Sequence, residues 1–265
     1  MSFHPGNLRT CVAVLVAALV LPLGGCESDA SGGTAVIGDP ATSAASPEPD
    51  PLAGAPEVGA CYDMTRSEAG AVTHEAPGVS CSGPHNTMTY HVGGFPTNAS
   101  FPDSEGASRA CERNLPQGVG LSAKEVKSSI LTWIWFEPST EQWSAGARWF
   151  RCDVVAQRDN GTFKPLPSAA APFFPAGVPD EYFRCMRERG EEGVPVTCDQ
   201  AHGYRWAGTF EGKGKTRPKQ ARLLEQANQH CYSITGTTSW WVTWPSADSW
   251  ASGDREMACY KATRP

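Results

Sequence analysis

The sequence predicts an α+β protein made of two tandem, small, disulfide-bonded modules, each a helix packed on a short antiparallel sheet, after a signal peptide and a disordered linker. Three observations lead there. The chain of 265 residues holds 10 cysteines, too many for a compartment that keeps thiols reduced and suited to an exported protein whose cysteines pair. The cysteine-bearing part repeats itself. Between the cysteines, apolar residues recur either at every second position or at helical spacing.

The elements follow in order. Val12 to Leu23 is an apolar run behind Arg9. It is shorter than the ~20 residues a membrane-spanning helix needs and has the form of a signal-peptide core. It ends in Leu23-Gly24-Gly25-Cys26, which resembles the lipobox of bacterial lipoproteins. Small residues there let the backbone enter a signal peptidase. The Cys26 thiol would carry a diacylglyceryl thioether and become the new N-terminus. Residues 1–25 are therefore expected to be a lipoprotein signal peptide, with Cys26 the lipidation site and the membrane a partner through that anchor. Residues 26–57 are rich in Ser, Gly, Ala, Pro and Asp and hold no aromatic residue. They are expected to form a disordered tether.

From residue 58 the character changes. "VSCSGPH" (79–85) resembles "VTCDQAH" (196–202), and "PSTEQWSAGARWFRC" (138–152) resembles "PSADSWASGDREMAC" (245–259). Ala107 and Cys111 find matches in Ala227 and Cys231. The expected organisation is a first module over 58–157, a Pro-rich linker over 158–179, and a second module over 180–265. Each should run strand, strand, helix, strand, short helical turn, strand. Met88, Tyr90 and Val92 alternate with Thr87, Thr89 and His91 as in a half-buried strand, and Tyr204 and Trp206 do the same in the second module. Ala107 and Cys111 share a helix face, as do Leu224, Ala227 and Cys231. Phe150, Cys152 and Val154 share one face of a last strand; Met257 and Cys259 share the face of its counterpart.

If both modules close in the same way, three pairings of their cysteines remain. First with second and third with fourth is favoured: Cys61–Cys81, Cys111–Cys152, Cys185–Cys198 and Cys231–Cys259. The third cysteine faces inward from a helix and the fourth from a strand, so packing brings them together. Cys81 with His85, or Cys198 with His202, has the residue types of a zinc site, but zinc needs thiolates, which pairing removes. No metal and no cofactor are expected. There is no C-x-x-C redox motif and no G-x-S-x-G nucleophile motif.

The candidate binding residues are His85, His202, Trp133, Trp135, Trp241 and Trp244. Either histidine serves a ligand or caps the turn after its cysteine. "WIWF" (133–136) and "SWWVTW" (239–244) crowd tryptophans that alternation cannot bury entirely. They form either a Trp-rich core or a surface for a sugar ring or a protein. Trp143 and Trp250 read as core residues of a helical turn that Arg148 and Arg255 close through backbone carbonyls. The run "EGKGKTRPK" (211–219) is either a solvated loop or a contact for anionic lipid or wall polymer. The formal net charge of −6 argues against nucleic acid, which requires a basic surface.

The repeated signature of an early cysteine, V-x-C-x-x-[PA]-H, a cysteine-bearing helix and W-x-x-G-x-R-x-x-x-C resembles the septum formation domain of exported and membrane proteins in high-GC Gram-positive bacteria. The resemblance covers both modules. Cys81-Ser82-Gly83-Pro84-His85 and Trp143-Ser144-Ala145-Gly146-Ala147-Arg148 carry it best. It implies a role in forming the division septum and no established catalytic activity. The expectation is a lipid-anchored, non-catalytic envelope protein on the outer face of the cell membrane, enriched at the septum, that binds a division or cell-wall protein. The alternative is a binding lipoprotein for a cell-wall saccharide or small ligand.

Overall fold

The computed structural model describes residues 50–101, 104–158, 161–167, 171–190 and 192–263. The expected signal peptide (1–25), Cys26 and the tether as far as residue 49 lie outside them. Among the described residues, no helix is long and apolar enough to cross a membrane.

The first half of the chain runs β1 (Cys61–Tyr62), α1 (Arg66–Ala69), β2 (Thr87–Gly94), α2 (Ser104–Val119), α3 (Ala123–Ser128), β3 (Leu131–Phe136), α4 (Thr140–Ser144), β4 (Trp149–Gln157) and β5 (Phe163–Lys164). The second half runs β6 (Arg184–Arg189), β7 (Glu192–Thr197), β8 (Tyr204–Glu211), α5 (Gln220–Thr235), β9 (Trp240–Thr243), α6 (Ala247–Ala251) and β10 (Glu256–Ala262). Two antiparallel sheets result. One has the order β1-β2-β4-β3 with β5 also on β4, and the other β7-β6-β8-β10-β9.

Local chemistry sets the short helices. Thr65 with Glu68, Ser122 with Glu125, and Ser139 with Gln142 form reciprocal capping boxes that satisfy the first free N–H groups of α1, α3 and α4. Ser246 caps α6 alone. Helix α5 stops at Gly236, whose φ of 69° lies in the left-handed region that glycine enters without a Cβ clash. The resemblance between the two halves survives at the edges of their sheets. Val79 bridges Cys61 as Val196 pairs with Cys185, but the second half extends that bridge into the β6–β7 hairpin.

Four disulfides join Cys61–Cys81, Cys111–Cys152, Cys185–Cys198 and Cys231–Cys259, the pairs that the repeat favours. Two of them tie a helix to its sheet. In the first half Ala107, Cys111, Leu115 and Val119 of α2 lie against Tyr90, Phe150, Cys152 and Val154. The Tyr90 hydroxyl donates to the Cys111 carbonyl at 2.6 Å. A Cβ on Gly118 would sit 2.6 Å from the Tyr90 ring, so this close approach of helix and sheet needs glycine. In the second half Leu223, Ala227 and Cys231 meet Val242, Trp250, Met257 and Cys259.

Four expectations need correction. Leu224 is exposed and Leu223 is fully buried, because the inner face of α5 follows i, i+4, i+8 from 223 rather than i, i+3, i+7 from 224. The start of β2 is buried on both faces: Thr87 and Thr89 are as buried as Met88 and Tyr90. The last eight residues of the expected tether, 50–57, are not a free chain; the Pro51 carbonyl accepts from the Arg148 N–H at 2.7 Å and the Ala53 carbonyl from the Trp149 indole at 3.1 Å. The Pro-rich linker is not a spacer either. Leu166, Phe173 and Phe174 are buried in the core of the first half, where the Phe173 N–H donates to the Val119 carbonyl at 3.0 Å. Proline removes donors but not apolar area, so beyond the two-residue β5, which pairs with β4, the described part of the segment covers the core as irregular chain. Ile130 N–H to the Tyr182 carbonyl at 2.8 Å, and the ion pair of Lys127 with Glu256, then join the two halves.

Candidate functional site

The residues singled out from sequence do not converge. His85 is buried, and its Nδ1 lies 2.9 Å from the Gly83 carbonyl; His202 is half-buried, with Nδ1 2.7 Å from the Gln200 carbonyl. Both close their own turn two residues back. Cys185, Cys198 and His202 come close enough to suggest a metal site, but the two sulfurs are bonded to each other, and a disulfide offers no thiolate. Trp133 and Trp135 are half-buried against the first core, Trp244 against the second. Trp241 lies beside Met186, Trp206 and Tyr260. Arg148 donates to the carbonyls of Trp143 and Ala147 at 2.8 and 2.7 Å and lies over the Trp143 ring, closing the turn.

The concentrated chemistry is elsewhere, on the face of the first sheet that α2 does not cover. Strand β4 points Phe150, Cys152 and Val154 at α2, and so places Arg151 and Asp153 on the opposite face. Both are buried: their side chains are 3% and 0% exposed, with Arg151 Nε 3.1 Å from Asp153 Oδ2. The Thr89 hydroxyl donates to Asp153 Oδ1 at 2.7 Å. Arg151 Nη1 donates to the Tyr62 hydroxyl at 2.9 Å and Nη2 to His74 Nδ1 at 2.9 Å. Its guanidinium carbon also lies 4.3 Å from the Tyr62 ring centre and 4.6 Å from that of Phe136.

Burial disfavours charge on these groups unless a partner offsets it. Asp153 is pushed up to about 6 by burial, against the opposing pull of Arg151 and the Thr89 hydrogen bond. His74 is lowered by burial and by the Arg151 charge. Since arginine can only donate, His74 Nδ1 accepts and its other nitrogen carries the proton.

The network opens into a polar cavity of about 250 Å³. Tyr62, His74 and Arg151 form its floor with Glu137, which is fully buried. Ser139 and Gln142, at the start of α4, form one wall, and Gly54 and Pro56 of the docked segment 50–57 another. Gly54 has a φ of 78°, a left-handed backbone conformation that favours glycine, and its Cα lies close to the Gln142 amide.

The second half does the same structural work without charge. Counted from the paired cysteines, Tyr62 corresponds to Met186, Arg151 to Ala258 and Asp153 to Tyr260. Thr89 pairs with Asp153 across the sheet where Trp206 pairs with Tyr260. Met186, Trp206 and Tyr260 form an apolar cluster at that place. A buried polar network is therefore not required to build this sheet face, and the first half retains one. Sequence reasoning missed it because Arg and Asp alternating with core residues read as the solvent side of a strand. The available signal was the contrast between "RCD" (151–153) and "ACY" (258–260).

The sequence matches the family described as septum formation over residues 58–259. The match is a single one that spans both sheets and the segment between them, where the sequence reading expected one copy in each half. No curated protein and no solved structure matches the chain.

Proposed function

The chain belongs to the septum formation family, and from that premise we propose that it is an exported, lipid-anchored envelope protein that serves cell division by binding rather than by catalysis. The family description points to division at the envelope. In this reading Cys26 carries the anchor, the protein stands on the outer face of the membrane, and its two halves arose by duplication with the first specialised for ligand recognition. The observation that carries the binding role is the polar network under the 250 Å³ cavity, present in one half and replaced by Met186, Trp206 and Tyr260 in the other. Buried ionic groups are costly relative to a packed apolar core, so their retention at the floor of a cavity favours function over stability.

The cavity favours a small polar ligand, such as a cell-wall saccharide fragment, over a protein docked on the tryptophans, which pack against the cores. Binding is favoured over reaction because two of the groups suited to chemistry are committed. The His74 lone pair accepts from Arg151, and the Ser139 hydroxyl accepts the Gln142 N–H to cap α4. A general base needs a free lone pair beside the proton it removes.

Thermal denaturation of the full chain with soluble wall fragments tests the ligand. A rise in midpoint that is lost in Gln142→Ala, a residue at the cavity wall, supports the reading; no rise at millimolar fragment removes it. A C-terminal fluorescent fusion in dividing cells tests the division role. Septal enrichment, lost in Cys26→Ala, is expected, and uniform envelope staining would refute it.

A further inference from the structure

The loop between β8 and α5 has a different character from the rest of this acidic chain. Residues 211–219 hold Lys213, Lys215, Arg217 and Lys219. Among the described residues none of these four cations takes part in an ion pair, although six other cations do. Lys213, Lys215 and Lys219 are exposed. The backbone of the loop is nevertheless held. Gln226 accepts from the Lys213 N–H at 2.6 Å and donates to its carbonyl at 3.2 Å. The Gly214 carbonyl accepts from the Trp250 indole and from Arg255 Nε, both at 3.1 Å, and the Lys215 carbonyl from Arg255 Nη2 at 3.4 Å. Arg217 Nε reaches the Pro245 carbonyl at 3.0 Å.

Every one of these bonds engages the backbone or Arg217 and leaves the three lysine ammonium groups in water. The turn of Trp250 and Arg255 is thus used twice: it forms part of the second core and it fixes the shape of a basic loop. The matching turn in the first half holds no such loop: the Arg148 side chain bonds only carbonyls of its own turn, and its backbone N–H holds Pro51 instead. A held backbone lowers the entropy lost when the loop meets a surface. The acids nearby offset the charge only in part: Glu256 pairs with Lys127 and Glu225 with Arg222, which leaves Glu211 and Asp254 against the four cations of the loop.

We propose that loop 211–219 docks on the anionic phosphate headgroups of the membrane surface. It rests on the reading that the chain is held at that membrane. The stretch 212–219 contains no aromatic or branched aliphatic side chain, so it has nothing with which to enclose one ligand. It recognises density of negative charge, which a bilayer rich in anionic lipid presents. Each lysine near such a surface multiplies partitioning by roughly fivefold, so three together amount to roughly a hundredfold, screened as salt is raised.

The test is local and uses the full chain on vesicles of phosphatidylcholine, with and without phosphatidylglycerol. Lysine acylation is read peptide by peptide. Anionic vesicles should slow labelling of Lys213, Lys215 and Lys219 several-fold while leaving Lys124, exposed on α3, unchanged; neutral vesicles should leave all four unchanged. Lys213→Gln/Lys215→Gln/Lys219→Gln, whose native side chains hold nothing in place, should fold normally and lose at least tenfold in the anionic-dependent part of vesicle binding. Equal labelling on both vesicle types, or a triple variant that binds as the parent does, overturns the proposal. So does protection by soluble polyphosphate with none by anionic vesicles, which would make the partner a polymer. Failure of the anchor reading shows separately, as loss of binding to neutral vesicles.

Discussion

Replacing Arg151 with Met keeps an unbranched stem between the Tyr62 and Phe136 rings and removes the guanidinium. Arg151 is 2% exposed and Asp153 0%. Without Arg151, Asp153 retains the Thr89 hydroxyl at 2.7 Å, and Tyr62 and His74 each lose a donor at 2.9 Å. Breaking one side of a buried ion pair costs about 3–5 kcal/mol. Asp153→Leu should cost within the same range, since it leaves the cation buried with only its Tyr62 and His74 partners. The double variant imitates the second half, where Ala258 and Tyr260 flank Cys259. Removing both charges together is often close to neutral, so the double variant should fall far short of the sum, with a coupling of at least ~2 kcal/mol. Urea unfolding of the four proteins at pH 8 measures this. pH supplies a second reading. Asp153 already titrates near 6 with Arg151 beside it, and loss of the cation raises it further, so the Arg151→Met deficit should shrink between pH 8 and pH 5. Additive costs, or a deficit independent of pH, would refute the view that the two charges act as one unit.

Other outcomes follow from the same structure. Burial pushes Asp153 up to about 6 in the fold from its ordinary 3.8, so its contribution to stability is full below about pH 4 and is lost as pH rises through 6. Asp153→Asn should abolish this component, on the order of 3 kcal/mol, in unfolding measured from pH 4 to pH 7. Leu223→Ala should cost about 2–4 kcal/mol by opening a cavity beneath α5, and Leu224→Ala under ~1 kcal/mol; equal chemical-denaturation midpoints would restore the other face. Removing Cys111–Cys152, separated by 41 residues, should cost about 4 kcal/mol, and removing Cys185–Cys198, separated by 13, about 3 kcal/mol, with double Cys→Ala variants as the check.

Much of the framework was legible because it depends on periodicity and on repeated spacing. The inward faces of Ala107 with Cys111 and of Phe150, Cys152 and Val154 follow from local geometry alone, and that sufficed to favour the disulfide pairs. The Arg148 turn followed from the spacing W-x-x-G-x-R. Leu224 shows where this logic ends. Two adjacent leucines both satisfy helical spacing to Ala227, and only the direction from which the sheet approaches selects Leu223.

The chain by itself determined its mixed helix-and-sheet class, its cysteine framework and its membership of the septum formation family. These are consequences of composition and of spacing along one dimension. Tertiary structure alone decided what covers the second face of the first sheet. Sequence alternation marks Arg151, Asp153 and Thr89 as the polar side of strands, and in an isolated sheet they would meet water. They are buried because β1, the end of β3, the loop carrying His74 and the segment 50–57 fold back across them. Those pieces lie up to about a hundred residues away in the chain, beyond the reach of any local period. Burial at that distance turns an ordinary alternating strand into a charged network under a cavity, and it leaves the tryptophans, which drew attention in the sequence, to pack the cores.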